Sequence, residues 1–372
     1  MIKVLHIISG EDSGGARSHL LNLCTNNGVD FHNIIGCINK GSLYDKAKDD
    51  GIDVVIFSQS FRGDLSIVKA INRFAAENDI DIVNFHGARA NFLYNFLKKK
   101  MNIPCVTTVH SDYRYDFENS VLKYLLFTPL NKLSLKKFDN FICVSRKIKE
   151  LLDEKGFKGR KFVVNNGVDT HINILQSRKQ IREKYGIDEH AFVYTMVARL
   201  HPVKNHIGFL NASKMLIDEH KDVALLIIGS GDMERKLRQR VEKLGIGKHV
   251  YFAGYQKNPI DYINAGDINV LTSFNETFPL VILEGALVKK TAICSEVGDI
   301  KDVLDDSSGF IVDPHSDFDI YMKMKQAYEG RDMLEAMGQK LYETVHKGYT
   351  LDKFRERYYN SYMEILSGDK NG

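Results

Sequence analysis

The chain reads as α/β, with two Rossmann-like doubly wound domains and an interdomain cleft, on three observations. Short β-rich runs alternate with helical stretches from the first residues onward. The alternation lapses into a polar helical segment near 170–190 and then restarts in the same rhythm. A length of 372 residues, with 44% hydrophobic and 27% charged content, is enough for two full cores. Alternation of this kind predicts parallel strands joined by crossover helices.

Element by element, the first series is a strand over 3–8, a helix over 15–26, a strand over 33–38, a helix near 43–50, a strand over 53–57, a helix over 64–77 and a strand over 81–85. It continues through "NIPCVTTVH" at 102–110, "NFICVS" at 140–145 and "KFVVNNGVD" at 161–169. "AFVYTMVAR" opens the second series, followed by "VALLIIGSG" at 223–231, "VYFAGY" at 250–255, "INVLT" at 268–272, "TAICS" at 291–295 and "GFIVDP" at 309–314. The expected domains are 1–167 and 168–350, and the amphipathic helix at 351–367 is expected to pack back on the first. Domains of this class bind ligands outside the carboxyl ends of their strands, so the loops that follow strands are where chemistry is expected.

Composition narrows the function classes. A net charge of +3, with lysines clustered only at 98–100 and 132–137, argues against a nucleic-acid partner. The five cysteines, at 24, 37, 105, 143 and 294, show no metal spacing and no C-x-x-C, which points to a reducing cytoplasm. "MIKVLHIIS" reads as a buried strand rather than a signal peptide, and no run approaches the roughly 20 apolar residues of a membrane span.

The first strand ends in "SGEDSGGARSHLLNL", where Gly14 and Gly15 precede a helix. Glycine there lets backbone approach a ligand, and the helix start offers free N–H groups to phosphate. The turn is not G-x-G-x-x-G, and the second strand closes with Asn39 and Lys40 in place of an acid, which argues against NAD or FAD. His110 follows the fifth strand and is placed either to contact a substrate hydroxyl or developing charge, or to cap a turn. His86, closing the fourth strand, poses the same question, and His6 inside the first reads as a packed core residue.

The richest stretch is 197–287. "ARLHPVKN" sets Arg199 and Lys204 five positions apart after a strand, and an Arg fork with a Lys point charge can hold two phosphates. Cations near a helix start are mildly unfavourable, which itself suggests a bound anion. "IIGSGDMERKL" repeats the strand, glycine turn and helix, with Gly229 and Gly231 allowing close approach. In "NETFPLVILEGAL", Pro279 suits the first turn of a helix beginning near Phe278, so Glu276 lies before the helix and Glu284 inside it. The N–H groups of Leu280 and Val281 would point at an anion, with a carboxylate on either side to grip hydroxyls. A glutamate at a helix start is common for dipole reasons, but one within an apolar face needs a partner.

Together these residues resemble the GT-B retaining glycosyltransferases of family 4. The resemblance covers nearly the whole chain: the "SGG" turn, the histidine after the fifth strand, "VSRKIKELL" before "NNGVD", the R-x4-K of "RLHPVK", "GSGDMERKL" and the E-x7-E of "ETFPLVILE". It implies a nucleotide-sugar donor, a UDP-sugar in preference to a GDP-sugar, held mainly by the second domain, with the acceptor on the first and no required metal or cofactor. By motif match it implies that Arg199 and Lys204 bind the diphosphate, Glu284 the ribose and Glu276 the donor sugar. Leu280, Val281, Gly15 and Gly231 would lie at the donor, and His110 near the sugar's hydroxyls. Retention in such enzymes is explained by same-face attack, with the leaving phosphate taking the acceptor's proton. Thr277, where many relatives carry Gly or Ser, is a departure expected to be tolerated, though able to reshape the sugar pocket.

The implied role is transfer of a hexose or N-acetylhexosamine to a glycan or lipid-linked acceptor, in cell-envelope or exopolysaccharide assembly, in the cytoplasm or at the inner face of the membrane. Residues 111–136 mix aromatic, apolar and basic side chains, as a surface docking on anionic membrane would; a crossover helix with a solvated basic face is the plainer reading. The competing readings are a nucleotide-sugar epimerase or hydrolase, and a non-catalytic binding or partner subunit. Asp79 and Asp81 open a strand away from the expected site and read as structural rather than as a metal motif.

Overall fold

The structure, a computed structural model, describes residues 1–11, 15–25, 31–59, 64–114 and 121–368. Gly14 and residues 115–120 of the stretches singled out above lie outside the described residues. The chain divides into two compact units, Met1–Gly167 with Leu351–Gly372, and Val168–Thr350.

The first unit is built on seven strands: β1 (Ile2–Ile8), β2 (Phe31–Cys37), β3 (Val54–Ile56), β4 (Ile82–His86), β5 (Cys105–Val109), β6 (Asn140–Cys143) and β7 (Arg160–Val163). All described pairings are parallel, in the order β3-β2-β1-β4-β5-β6-β7. The crossovers are α1 (Gly15–Cys24), α2 (Ser42–Asp49), α3 (Ser66–Glu77), α4 (Gly87–Leu97), α5 (Val121–Leu135) and α6 (Arg146–Glu154). Because helices cover both faces, the strands are mostly apolar, with a few buried polar residues such as His6, Asn33 and Asn84 among them. Leu5 and Ile7 of β1 join one core with Phe85 and Phe141, while Val4 and Ile8 join a second on the other face. The chain's last helix, numbered α14 below, supplies Phe354, Tyr358, Tyr362 and Ile365 to that second core, a helical spacing that faces one way. Asp81 accepts a bond from the Lys3 amide at 2.8 Å and fixes the start of β1, the structural role expected of it.

The second unit carries β8 (Phe192–Val197), β9 (Val223–Ile228), β10 (Val250–Gly254), β11 (Ile268–Leu271), β12 (Ala292–Ser295) and β13 (Gly309–Val312), in the order β10-β9-β8-β11-β12-β13, again parallel. Its helices are α7 (Arg178–Tyr185), α8 (His206–Glu219), α9 (Glu234–Leu244), α10 (Pro259–Ala265), α11 (Leu280–Leu287), α12 (Asp317–Glu329) and α13 (Leu334–Gly348); α14 is Leu351–Gly368. A capping box of Ser177 and Gln180 starts α7, and Gly186 in the left-handed region ends it. Arg178 and Arg182 converge on Asp267 at 2.6 and 2.9 Å, a charge cluster that staples α7 to the sheet.

The expected pair of Rossmann-like units is what forms. In each, the strand order reverses beside the first strand of the series, between β1 and β4 and between β8 and β11. Loops leaving the carboxyl ends of strands at such a switch point flank the crevice where ligands bind. The five cysteines are buried and free. No helix among the described residues is long and apolar enough to cross a membrane.

Candidate functional site

At the switch point of the second unit, the loop after β8 carries Arg199 and Lys204, and the loop after β11 carries Glu276. Lys204 ends a single 3-10 turn, Pro202–Lys204, two residues ahead of α8 and so near its start. The turn closes there because Asn205 adopts φ 52, a left-handed conformation Asn tolerates, while its side chain caps α8 through the Gly208 amide. The Asn205 amide group also donates to the Pro314 carbonyl at 2.7 Å. Two bonds lace this turn to the neighbouring loop: Phe274 N–H to the Val203 carbonyl at 2.8 Å, and the Thr272 hydroxyl to the Asn205 carbonyl at 3.2 Å.

That lacing brings Lys204 against Glu276, and the two form an ion pair that the Ser273 hydroxyl supports by donating to the same carboxylate oxygen at 2.7 Å. Both side chains are largely shielded, 22% and 16% exposed, so their attraction is less screened than that of a surface pair.

Arg199 is held differently. Its flanking amides, Ala198 N–H and Leu200 N–H, donate at 2.9 Å to Ile228 at the end of β9 and to Ser230 in the loop after it. That loop can come so close only because of glycine: a Cβ on Gly231, at φ 155, would stand 2.4 Å from the Leu200 carbonyl. The close approach foreseen at Gly231 is therefore, in this structure, one of chain to chain. The Arg199 guanidinium itself is exposed and makes no bond or ion pair with the described residues.

Helix α11 begins at Leu280, two residues later than Phe278, with Pro279 as its N-cap residue in extended conformation. Proline leaves no side chain to cap the helix, and the amides of Leu280 and Val281 have no partner among the described residues. Glu284, one turn further along, is half-buried and has no hydrogen-bond partner among the described residues. Burial raises its carboxyl above the usual range. Gly298, at φ 55, packs the loop after β12 under this segment, where a Cβ would lie 2.1 Å from the Thr277 carbonyl.

In the first unit the switch point holds histidines. His110 Nε2 lies 2.9 Å from His86 Nδ1, and His86 Nε2 lies 3.0 Å from His6 Nδ1. His6 Nε2 meets the Asn33 carboxamide oxygen at 2.9 Å. His6 is thus buried as expected, but as one link of a hydrogen-bonded row. Burial lowers the His6 pKa to about 4 and holds those of His86 and His110 well below the ordinary value. His19 of α1 stands edge-on to His110 at 4.7 Å, bonds to Asn166 and meets the Tyr358 hydroxyl of α14 at 2.7 Å. Nothing in local sequence pattern announces this cluster, since its members lie 80 and 24 residues apart. Gly15 opens α1, and among the described residues no atom beyond its chain neighbours and own helix lies within 4 Å of a Cβ placed on it.

Two family models match the chain: "Glycosyltransferase Family 4" over residues 13–172 and "Glycosyl transferases group 1" over residues 177–344. Among similar curated proteins are N-acetyl-alpha-D-glucosaminyl L-malate synthase of Bacillus anthracis, 25% identical over 83% of this chain and 81% of that protein, and UDP-Gal:alpha-D-GlcNAc-diphosphoundecaprenol alpha-1,3-galactosyltransferase of Escherichia coli, 24% identical over 89% and 88%. Among solved structures, HepE of Anabaena in complex with UDP and glucose superposes with a TM-score of 0.82 at 18% identity, covering 99% of this chain and 100% of that one. The matches to the two units and the paired Rossmann-like sheets agree, and the chain belongs to the family 4 glycosyltransferases of GT-B fold, nucleotide-sugar-dependent transferases.

Proposed function

We propose that this enzyme moves a hexose or N-acetylhexosamine from a UDP-sugar to a glycan or lipid-linked acceptor, with retention of configuration, in cell-envelope or exopolysaccharide assembly at the inner face of the membrane. The observation that carries the reading is the second unit's switch point, where the loops after β8 and β11 and the start of α11 carry Arg199, the Lys204–Glu276 pair, two open amides and a half-buried Glu284; among the described residues Arg199, the amides and Glu284 have no partner. Named relatives support the direction: one uses UDP-Gal on an undecaprenol-linked GlcNAc, and HepE has been solved with UDP and with UDP-glucose.

In this reading Arg199 and Lys204 hold the diphosphate and the open amides of Leu280 and Val281 add two donors. As the bond to the sugar breaks, negative charge grows on the leaving phosphate and positive charge on the sugar ring. Fixed cations and amides aimed at that phosphate lower the barrier electrostatically. Glu284 accepts from the ribose hydroxyls and Glu276 from the donor sugar, with Ser273 and Lys204 holding its carboxylate in place. The acceptor hydroxyl attacks from the face the phosphate leaves, and the phosphate oxygen takes its proton, so no separate base is required. In the first unit, His110 is the candidate partner for a substrate hydroxyl, and the family resemblance assigns Gly15 at the start of α1 a close approach of backbone to phosphate.

The test is incubation with a panel of UDP- and GDP-sugars and a membrane-lipid extract, with the product's anomeric configuration read by NMR. One UDP-sugar yielding an α-linked product from an α-donor supports the reading. Nucleotide binding with neither transfer nor hydrolysis would favour a non-catalytic subunit instead.

A further inference from the structure

Helix α5 is built with its polarity reversed. Asn131, Ser134 and Leu135 face inward. Asn131 accepts from Asn91 of α4 at 3.2 Å, and Ser134 accepts from Asn95 at 2.8 Å. Leu122, Leu125, Leu126, Leu130 and Leu133 point the other way and are 41 to 69% exposed. At 3.6 residues per turn these five leucines fall within an arc of roughly 140° on one face. A helix that merely crosses over a sheet does the opposite, with leucines inward and amides outward. A contiguous apolar surface of this size marks an interaction site.

Its charge surroundings select the partner. From Asn119 to Phe138 the sequence has four lysines and no acidic residue. Exposed Lys136 and Lys137 follow α5, and exposed Lys99 and Lys100 follow α4, which packs against it. An apolar helix face rimmed by lysine fits the boundary between headgroups and acyl chains of an anionic bilayer. We propose that α5 is a membrane-docking helix that lays its leucine face into anionic lipid, bringing the enzyme to the surface where a lipid-linked acceptor resides. The proposal rests on the lipid-linked reading of the acceptor.

The test is co-sedimentation with vesicles of phosphatidylglycerol and phosphatidylethanolamine, beside pure phosphatidylcholine, for wild type and for Leu125→Gln/Leu126→Gln/Leu133→Gln. UDP affinity, thermal stability and oligomeric state are measured on the same preparations. Wild type is expected to pellet with anionic vesicles and the triple variant to lose roughly tenfold or more in partitioning, with UDP affinity and stability unchanged. No wild-type binding, equal binding by the variant, or a dimer that the variant dissolves without a change in vesicle binding would overturn the proposal. A failure with UDP affinity intact leaves the donor reading standing; loss of UDP affinity in wild type would strike that reading instead.

The row of histidines carries a second inference by itself. The Asn33 side-chain nitrogen donates to the Leu23 carbonyl at 3.3 Å, which turns its oxygen toward His6. His6 must then carry its proton on Nε2 and accept at Nδ1 from His86 Nε2–H, and His86 in turn accepts at Nδ1 from His110 Nε2–H. We infer that Asn33 is a positioning residue that, through His6 and His86, fixes His110 as the neutral Nε2–H tautomer, with its Nδ1 unprotonated. The inference rests on the hydroxyl-binding role given to His110.

Ring 15N spectra, with His110 assigned by comparison with His110→Gln, read the tautomer directly. Wild type is expected to show a protonated Nε2 and a pyridine-like Nδ1 at His110. Asn33→Asp, which can only accept, keeps that pattern, and Asn33→Leu mixes the tautomers. A wild-type His110 protonated on Nδ1, or an unchanged spectrum in Asn33→Leu, would overturn the inference. The wild-type spectrum decides even if Asn33→Leu does not fold. A correct tautomer in a protein that does not bind UDP would count against the proposed function alone.

Discussion

The Lys204 ammonium and the Glu276 carboxylate, 72 residues apart in sequence, neutralise each other at the switch point of the second unit. A phosphate arriving at Lys204 competes with Glu276 for the same cation, and this separates their roles. Lys204→Met is expected to weaken UDP binding by about tenfold or more, the value of a charged hydrogen bond, and to lower stability because Glu276 is left shielded and unpaired. Glu276→Gln frees the ammonium. UDP affinity should hold or rise while turnover of the UDP-sugar falls by roughly a hundredfold or more. Calorimetry beside turnover assays checks both, and parallel losses of UDP affinity in the two variants would contradict the assignment.

Gly298 lies under the loop that carries Glu276. A Cβ at its φ of 55 would stand 2.1 Å from the Thr277 carbonyl, so even alanine must push that loop. Gly298→Ala should cost about 1–3 kcal/mol and slow transfer. Thermal unfolding reads the first effect and turnover the second; an alanine variant as stable and as fast as wild type would count against this packing.

The buried histidines of the first unit give its stability a pH dependence. Burial lowers His6 and His19 from 6.5 to about 4, while the unfolded chain keeps the ordinary value. Between those two values the unfolded state binds more protons, so stability is full above 6.5 and declines as pH falls toward 4. Melting followed by circular dichroism should show little change from about pH 8 to pH 7 and a drop of several degrees by about pH 5. A flat profile over that range would mean the histidines are not held neutral by the fold.

The two parallel-sheet units, and the placing of the candidate residues in loops after strands, were legible because each rests on short-range pattern. Apolar runs with crossover spacing imply parallel sheets, and Arg199, Lys204 and Glu276 lie in the segments that follow β8 and β11. The Lys204–Glu276 pair was not legible, since it depends on Thr272 and Phe274 lacing two loops together. Helix α5 leaves two readings open in sequence for a related reason: which face turns inward is set by Asn91 and Asn95 of α4, which donate to Asn131 and Ser134. The start of α11 was misplaced by two residues, because Pro279 suits the first turn yet here stands as the cap. His6 reads from sequence as packing alone, and only the pairing of β1 with β2 and β4 brings Asn33 and His86 to its ring.

The central claim, that the second unit's switch point is a UDP-sugar site built on Arg199 and Glu284, is tested most directly by calorimetric titration with UDP and with GDP. Wild type is compared with Arg199→Ala and Glu284→Ala. Arg199 is exposed and Glu284 has no hydrogen-bond partner among the described residues, so neither change should unfold the protein. UDP is expected to bind in preference to GDP, and each substitution to weaken it by about tenfold or more with the melting temperature unchanged. UDP binding of undiminished strength in both variants would contradict the account.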